Sequence, residues 1–166
     1  MKFFYILFFS LFIMTGSKAQ DNASSEQPVY LRFPVIPQFT IYNAPDSSAF
    51  TRDNIDKRKP VVFFIFSPDC GHCKHETESI LKNIKRFKNA QILMITHYPY
   101  DDMMNFYRHF KIGNHPQIRM GRDTKYFFPV FYKVENFPSI FVYDKKGNFK
   151  KSFEGNVKID DIIAEL

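Results

Sequence analysis

Tryptophan is absent from the sequence, and cysteine and glycine are scarce, at two and six residues. Two cysteines close one bridge at most, which excludes a small scaffold stapled by several disulfides. Glycine this sparse excludes collagen-like repeats and flexible glycine-rich tracts. No apolar run reaches the ~20 residues that cross a bilayer; the longest, Phe3 to Met14, is interrupted at Ser10. Nor does one sign of charge dominate: 23 basic residues face 17 acidic ones. The basic residues are spread over Lys82, Lys85, Arg86 and Lys88 and over Lys145, Lys146, Lys150 and Lys151. Scattered in this way they read as solvated surface, and no nucleic-acid partner is expected.

What is present is material for one aromatic core. Hydrophobic residues make up 45% of the chain and 21 residues are Phe. The length suits one compact domain. The start reads as an export signal: Lys2 supplies a positive end, Phe3 to Met14 an apolar stretch, and Ser17 and Ala19 the small residues of a cleavage site. The expected organisation is a cleaved signal peptide over 1–19, a flexible segment over 20–34 and a folded domain over 35–166. Cleavage after Ala19 removes Lys2 and Lys18 and lowers the net charge from +6 to about +4. The protein is expected in the periplasm or outside the cell.

Along the domain, Gln38 to Tyr42 alternates with strand period and Asn43-Ala44-Pro45-Asp46 supplies a turn. A short returning strand is expected at Ser48 to Phe50. Val61 to Phe66 is a continuous β-branched and aromatic run, the pattern of a strand buried on both faces. From Gly71 the period becomes helical, with Cys73, Thr77, Ile80, Leu81, Ile84 and Phe87 on one stripe. Gln91 to Thr96 reads as a strand, and Asp101-Asp102 opens a helix with Met103, Phe106, Tyr107 and Phe110 inward. Lys111 to Arg122 reads as irregular. Asp123 is placed to cap a short helix that runs to Phe131 and is interrupted by Pro129. Ser139 to Tyr143 and Phe149 to Glu154 form a hairpin, and Ile159, Ile162, Ile163 and Leu166 the inner stripe of a last helix. This alternation calls for an α/β domain with one central mixed sheet and helices on both sides.

The chemistry lies in Cys70-Gly71-His72-Cys73, after the buried strand and at the mouth of the helix. Unpaired N–H groups and the macrodipole at a helix N-terminus favour an anion. A thiolate at Cys70 would be stabilised there, and the thiolate is the species that attacks a disulfide. Cys73 lies one turn further in, within reach to resolve a mixed disulfide. His72 adds a potential positive charge beside the first sulfur. A merely structural bridge explains the spacing badly, because closing a four-residue loop stabilises little.

From Phe63 to Glu76 the sequence resembles the active-site stretch of exported bacterial thioredoxin-like proteins, above all the extracytoplasmic reductases of the TlpA and ResA type. The likeness continues through Val134-Glu135-Asn136-Phe137-Pro138-Ser139 to Asp144, and Ile36 to Val62 is similar to that family's added N-terminal hairpin. The resemblance implies a thioredoxin fold and a thiol–disulfide oxidoreductase, most simply a reductase. It implies that Cys70 is the nucleophile, that Cys73 resolves, and that the two form the redox-active disulfide. Pro138, after Phe137, matches the family's cis-proline facing the thiols. Glu76 matches its acidic residue three positions past the second cysteine, where it shares a helix face with Cys73. Protein thiols or disulfides would be the substrates, with a membrane or periplasmic electron donor or acceptor. No metal or other cofactor is expected, and the protein is expected to be a monomer.

Three departures bear on direction. Asp69 replaces the usual Trp before the first cysteine and would oppose a thiolate at Cys70. Phe64 stands where thioredoxin has a buried Asp. Gly71-His72 resembles the dipeptide of protein disulfide isomerase, which favours oxidation or isomerisation. Two other readings compete. Cys70, His72, Cys73 and His75 all have ligand chemistry, as a copper-binding or metallochaperone protein of this fold requires. A peroxidase would carry Thr three positions before the nucleophile, where this chain has Ser67. His75, His97, His109 and His115 show no paired spacing and read as surface or structural.

Overall fold

The β-branched and aromatic run at Val61 forms strand β3 (Val61–Ile65), whose five residues are all buried in the computed structural model, which describes residues 27–166. Burial on both faces explains why this run lacks polar alternation. It pairs parallel with β4 (Gln91–Thr96) and antiparallel with β6 (Ser139–Tyr143), so it sits at the middle of the sheet. Beyond β6 lies β7 (Phe149–Glu154), an edge strand whose Lys150 and Lys151 are exposed. On the other side β4 pairs parallel with β5 (Ile118–Arg122). Next comes the hairpin β1 (Thr40–Asn43) and β2 (Ala49–Thr51), antiparallel to β5 through β1. The order is β2-β1-β5-β4-β3-β6-β7, the mixed sheet with an added hairpin that the sequence predicts.

Strand alternation divides the core in two. Val62, Phe64 and Phe66 face α2 (Gly71–Lys82), α3 (Tyr100–His109) and α5 (Ile159–Ile163), together with Met94, Met103 and Met120. Val61, Phe63 and Ile65 face α4 (Phe127–Tyr132) and, through Tyr30, the single turn α1 (Val29–Arg32).

The described structure departs from the sequence expectations in four places. Part of the expected flexible segment, Val29–Arg32, is a helical turn. Its Tyr30 ring packs 5.1 Å from Phe141 and 5.3 Å from Phe149, which anchors it. Ile118–Arg122, expected to be irregular, is strand β5. Arg119 and Gly121 hide the strand pattern, and Gly121 is there for clearance: a Cβ would lie 2.7 Å from Ile41 Cδ1 on β1. Pro129 does not interrupt α4, because it is the third residue of the helix, where no intrahelical N–H bond is lost. Leu166, placed on an inner stripe, is 38% exposed, while Ile159 and Ile162 are buried. The signal segment expected over 1–19 lies outside the described residues.

Candidate active site

Strand β3 ends at Ile65, and the Phe66 N–H still donates to Ile95 O at 3.0 Å, which carries the sheet bonding up to the loop. Ser67 O then accepts the Cys70 N–H at 3.2 Å and sets the turn into α2. Cys70 is the N-cap of that helix, with extended backbone at φ −70 and ψ 120. Its side chain does what a capping oxygen does elsewhere: Sγ accepts the Cys73 N–H at 3.3 Å. An anionic sulfur gains more from such a donor than a neutral one. Cys70 is half-buried, so it is open to a partner.

Cys73 is wholly buried, one turn along on the core stripe of α2. Both cysteines are free thiols here. Burial pushes the Cys73 thiol far above its ordinary range; the Cys70 sulfur beside it adds to the rise, and the Ser67 backbone opposes it. The two thiols therefore meet different surroundings, one facing out beneath a helix end and one held protonated inside.

The Phe137–Pro138 peptide bond is cis, in the loop that leads into β6. It places Phe137 O 3.6 Å from Cys70 Sγ, with the thiol as donor. Nearby, Ser139 Oγ donates to Asn136 O at 2.7 Å and fixes the loop's other end. Residues 67 apart in sequence thus meet at one sulfur.

Glu76 follows Cys73 by three positions on the same face and is 1% exposed. Its Oε2 accepts the Val157 N–H at 3.0 Å, while Oε1 is enclosed without a partner. Burial raises its affinity for a proton, with the Val157 amide and His75 opposing. A carboxyl in this state can hold and release a proton near the buried thiol. Gly71, His72 and Asp69 are exposed at the helix mouth.

His97, which the sequence reads as surface or structural, is half-buried beside the site. It follows β4 directly, and its ring lies 6.1 Å from that of Phe137 and 4.6 Å from those of Tyr98 and Tyr126. Its Nδ1 is enclosed without a hydrogen-bond partner, and burial lowers its proton affinity against the pull of Asp123. The missed signal was its position at the carboxyl end of a parallel strand, where α/β folds gather their sites.

Among the described residues, no group of three or more His, Cys, Asp or Glu is placed to hold a metal ion. His72 and His75 are exposed while Cys73 is in the core, so the four residues of the metal-carriage reading do not converge.

No curated protein matches the chain. Among solved structures, a secreted Mycobacterium tuberculosis disulfide oxidoreductase homologous to E. coli DsbE superposes with a TM-score of 0.65 at 17% identity, over 77% of this chain and 93% of its own. The pneumococcal exposed lipoprotein thioredoxin Etrx1 from Streptococcus pneumoniae gives 0.62 at 17%, over 78% and 100%. StoA from Bacillus subtilis gives 0.58 at 14%, over 79% and 97%. At such identities the likeness is one of fold. The thioredoxin-like domain family itself matches residues 51–166, from the end of the hairpin through the cysteine helix to the last residue. By sequence as well as by fold, then, this chain belongs to the thioredoxin-like domain family.

Proposed function

We propose that the protein is an exported thiol–disulfide oxidoreductase that reduces disulfides of other exported proteins through Cys70 and Cys73. The observation that carries this reading is the sulfur of Cys70 at the head of α2, accepting the Cys73 N–H with the Cys73 thiol buried behind it. Export rests on the expected signal segment over 1–19, and the secreted and surface-exposed placing of two fold relatives is consistent with it.

In the reaction, the Cys70 thiolate attacks one sulfur of a substrate disulfide. A Cys70–substrate disulfide forms, and the first substrate thiolate leaves. Glu76 takes the proton of Cys73, whose thiolate then attacks Cys70 Sγ. The second substrate thiolate leaves, takes up a proton, and the protein is left with a Cys70–Cys73 disulfide. Two electrons have passed from the protein dithiol to the substrate, and a partner dithiol must restore them. The reading needs no cofactor beyond the cysteine pair, one protomer suffices for it, and nucleic acid has no part.

Cys70→Ala abolishes disulfide exchange and leaves the fold intact, read by near-UV circular dichroism and a thiol-release assay. Cys73→Ala accumulates mixed disulfides with partner proteins, which identifies the substrates; capture of nothing would remove the reading's basis. Direction is tested by equilibrium with glutathione: a potential more negative than the glutathione couple supports reduction, and a more positive one reverses it.

A further inference from the structure

A series of contacts leads away from Cys70 through the loop before β6. Phe137 O faces Cys70 Sγ, the Phe137 ring neighbours His97, and His97 packs edge-on against Tyr126. Tyr126 stands at the head of α4 with φ 54, a left-handed backbone that side-chain-bearing residues rarely adopt. Beyond Tyr126 opens a groove of about 660 Å³ between α4 and the β1–β2 hairpin. The α4 wall is apolar, with Tyr126, Phe127, Val130 and Phe131, whereas the hairpin wall around Phe39 is largely polar, with Thr40, Thr51 and Asp53. Val130 is 68% exposed and Tyr126 51%. Phe127 and Phe131 of the α4 wall stack at 5.3 Å.

We propose that this groove is a substrate subsite: it takes a hydrophobic side chain of an extended polypeptide whose cysteine is bonded to Cys70. The inference rests on the proposed exchange chemistry and specifies the substrate class. Two observations favour a polypeptide substrate. Side-chain contacts link Cys70 to the groove's Tyr126 by way of Phe137 and His97. The groove's volume falls in the range of sites that enclose an organic group. The steps along those contacts are 3.6, 6.1 and 4.6 Å, and an extended chain advances about 3.3 Å per residue, so a polypeptide that follows them spans on the order of five residues.

The test uses reduced full-length protein and three disulfides of thionitrobenzoate: one with glutathione and two with otherwise identical peptides. The peptides carry Phe or Ser five residues from their cysteine. Cys70 attacks the peptide sulfur, a protein–peptide disulfide forms, and thionitrobenzoate leaves and is read by absorbance. The expected rate constant for the Phe peptide exceeds that for the Ser peptide roughly 10-fold or more, the effect of burying one aromatic side chain. Val130→Asp brings the ratio close to one. Because the ratio is taken within each protein, a loss of folded material lowers both rates and leaves it unmoved. Equal peptide rates in the unaltered protein, with the glutathione derivative consumed, would overturn the subsite and leave the exchange function standing. No reaction with any of the three would overturn both. A dimer that dissociates on Val130→Asp would also overturn it, by assigning the groove to a second copy of the chain.

Discussion

Phe63 and Phe64 are neighbours on β3, both fully buried, yet they look into interiors of different chemistry. Phe64 has one ring neighbour, Phe66 at 5.9 Å, in a cluster where methionines, aliphatic side chains and Cys73 mix with phenylalanines. Phe63 sits in a lattice of rings, with Phe39, Phe128, Tyr132 and Tyr143 at centroid distances of 5.4 to 6.0 Å. The polar groups differ as well. On the Phe63 side the Tyr132 and Tyr143 hydroxyls satisfy each other at 2.8 Å inside the rings. On the Phe64 side Glu76 keeps one enclosed oxygen without a partner. The sheet thus separates two tasks: one face packs rings around a satisfied hydroxyl pair, and the other keeps a thiol and a carboxyl in surroundings that cost stability.

Breaking the packing face has the largest expected effect. Phe63→Ala removes a ring with four aromatic neighbours and lowers stability by about 3–5 kcal/mol in urea unfolding. The exchange rate per folded molecule stays unchanged, since Phe63 touches neither thiol.

Glu76→Gln tests the other face and keeps its shape. Resolution of the mixed disulfide slows on the order of 100-fold at neutral pH, measured by quenched-flow trapping. Stability moves the opposite way. Burial raises the Glu76 proton affinity above the ordinary value of 4.5, so its contribution is whole below that pH and is lost as pH rises through the folded value. Glu76→Gln is therefore more stable than the parent near pH 7 and matches it near pH 4, read from denaturant midpoints. A deficit at neutral pH would mean that the carboxylate is welcome where it sits, and the contrast between the faces would fail.

Tyr132→Phe is the smallest step. It removes the partner of the Tyr143 hydroxyl within a dry core and lowers stability by about 1 kcal/mol, without altering exchange. The same measurements, rate and unfolding midpoint, serve all three substitutions.

The sequence made much of this legible because its strongest signals are local. Val61 to Ile65 has no polar residue to confuse its period, and Cys70 to Cys73 sits where that run gives way to a helical one. The cis bond before Pro138 lies where the family resemblance puts it. What was hidden depends on distant partners. Strand β5 carries Arg119 outward over the Phe50 ring at 4.5 Å, and Gly121 against Ile41, and neither contact can be read from neighbouring residues. His97 reads as one more histidine until Phe137 and Tyr126 arrive from 40 and 29 positions away in the numbering. Asp123 was legible in part: its carboxylate does accept the Lys125 and Phe128 N–H groups at 3.1 and 2.8 Å, at the head of α4.

The hairpin joins the rest of the sheet through β1 and β5 at two residue pairs, Tyr42–Arg122 and Asn43–Gly121, extended by the Ala44 N–H that donates to Met120 O at 2.9 Å, whereas β3 meets each of its neighbours over five pairs. A seam stitched at so few points opens before one stitched at five, and local opening follows such differences in bonding. What holds the hairpin is then chiefly the burial of Ile41 and Phe50 rather than the ladder. One bank of the groove beside α4 is the less firmly tied one, and the strands under the cysteine helix are the last expected to part.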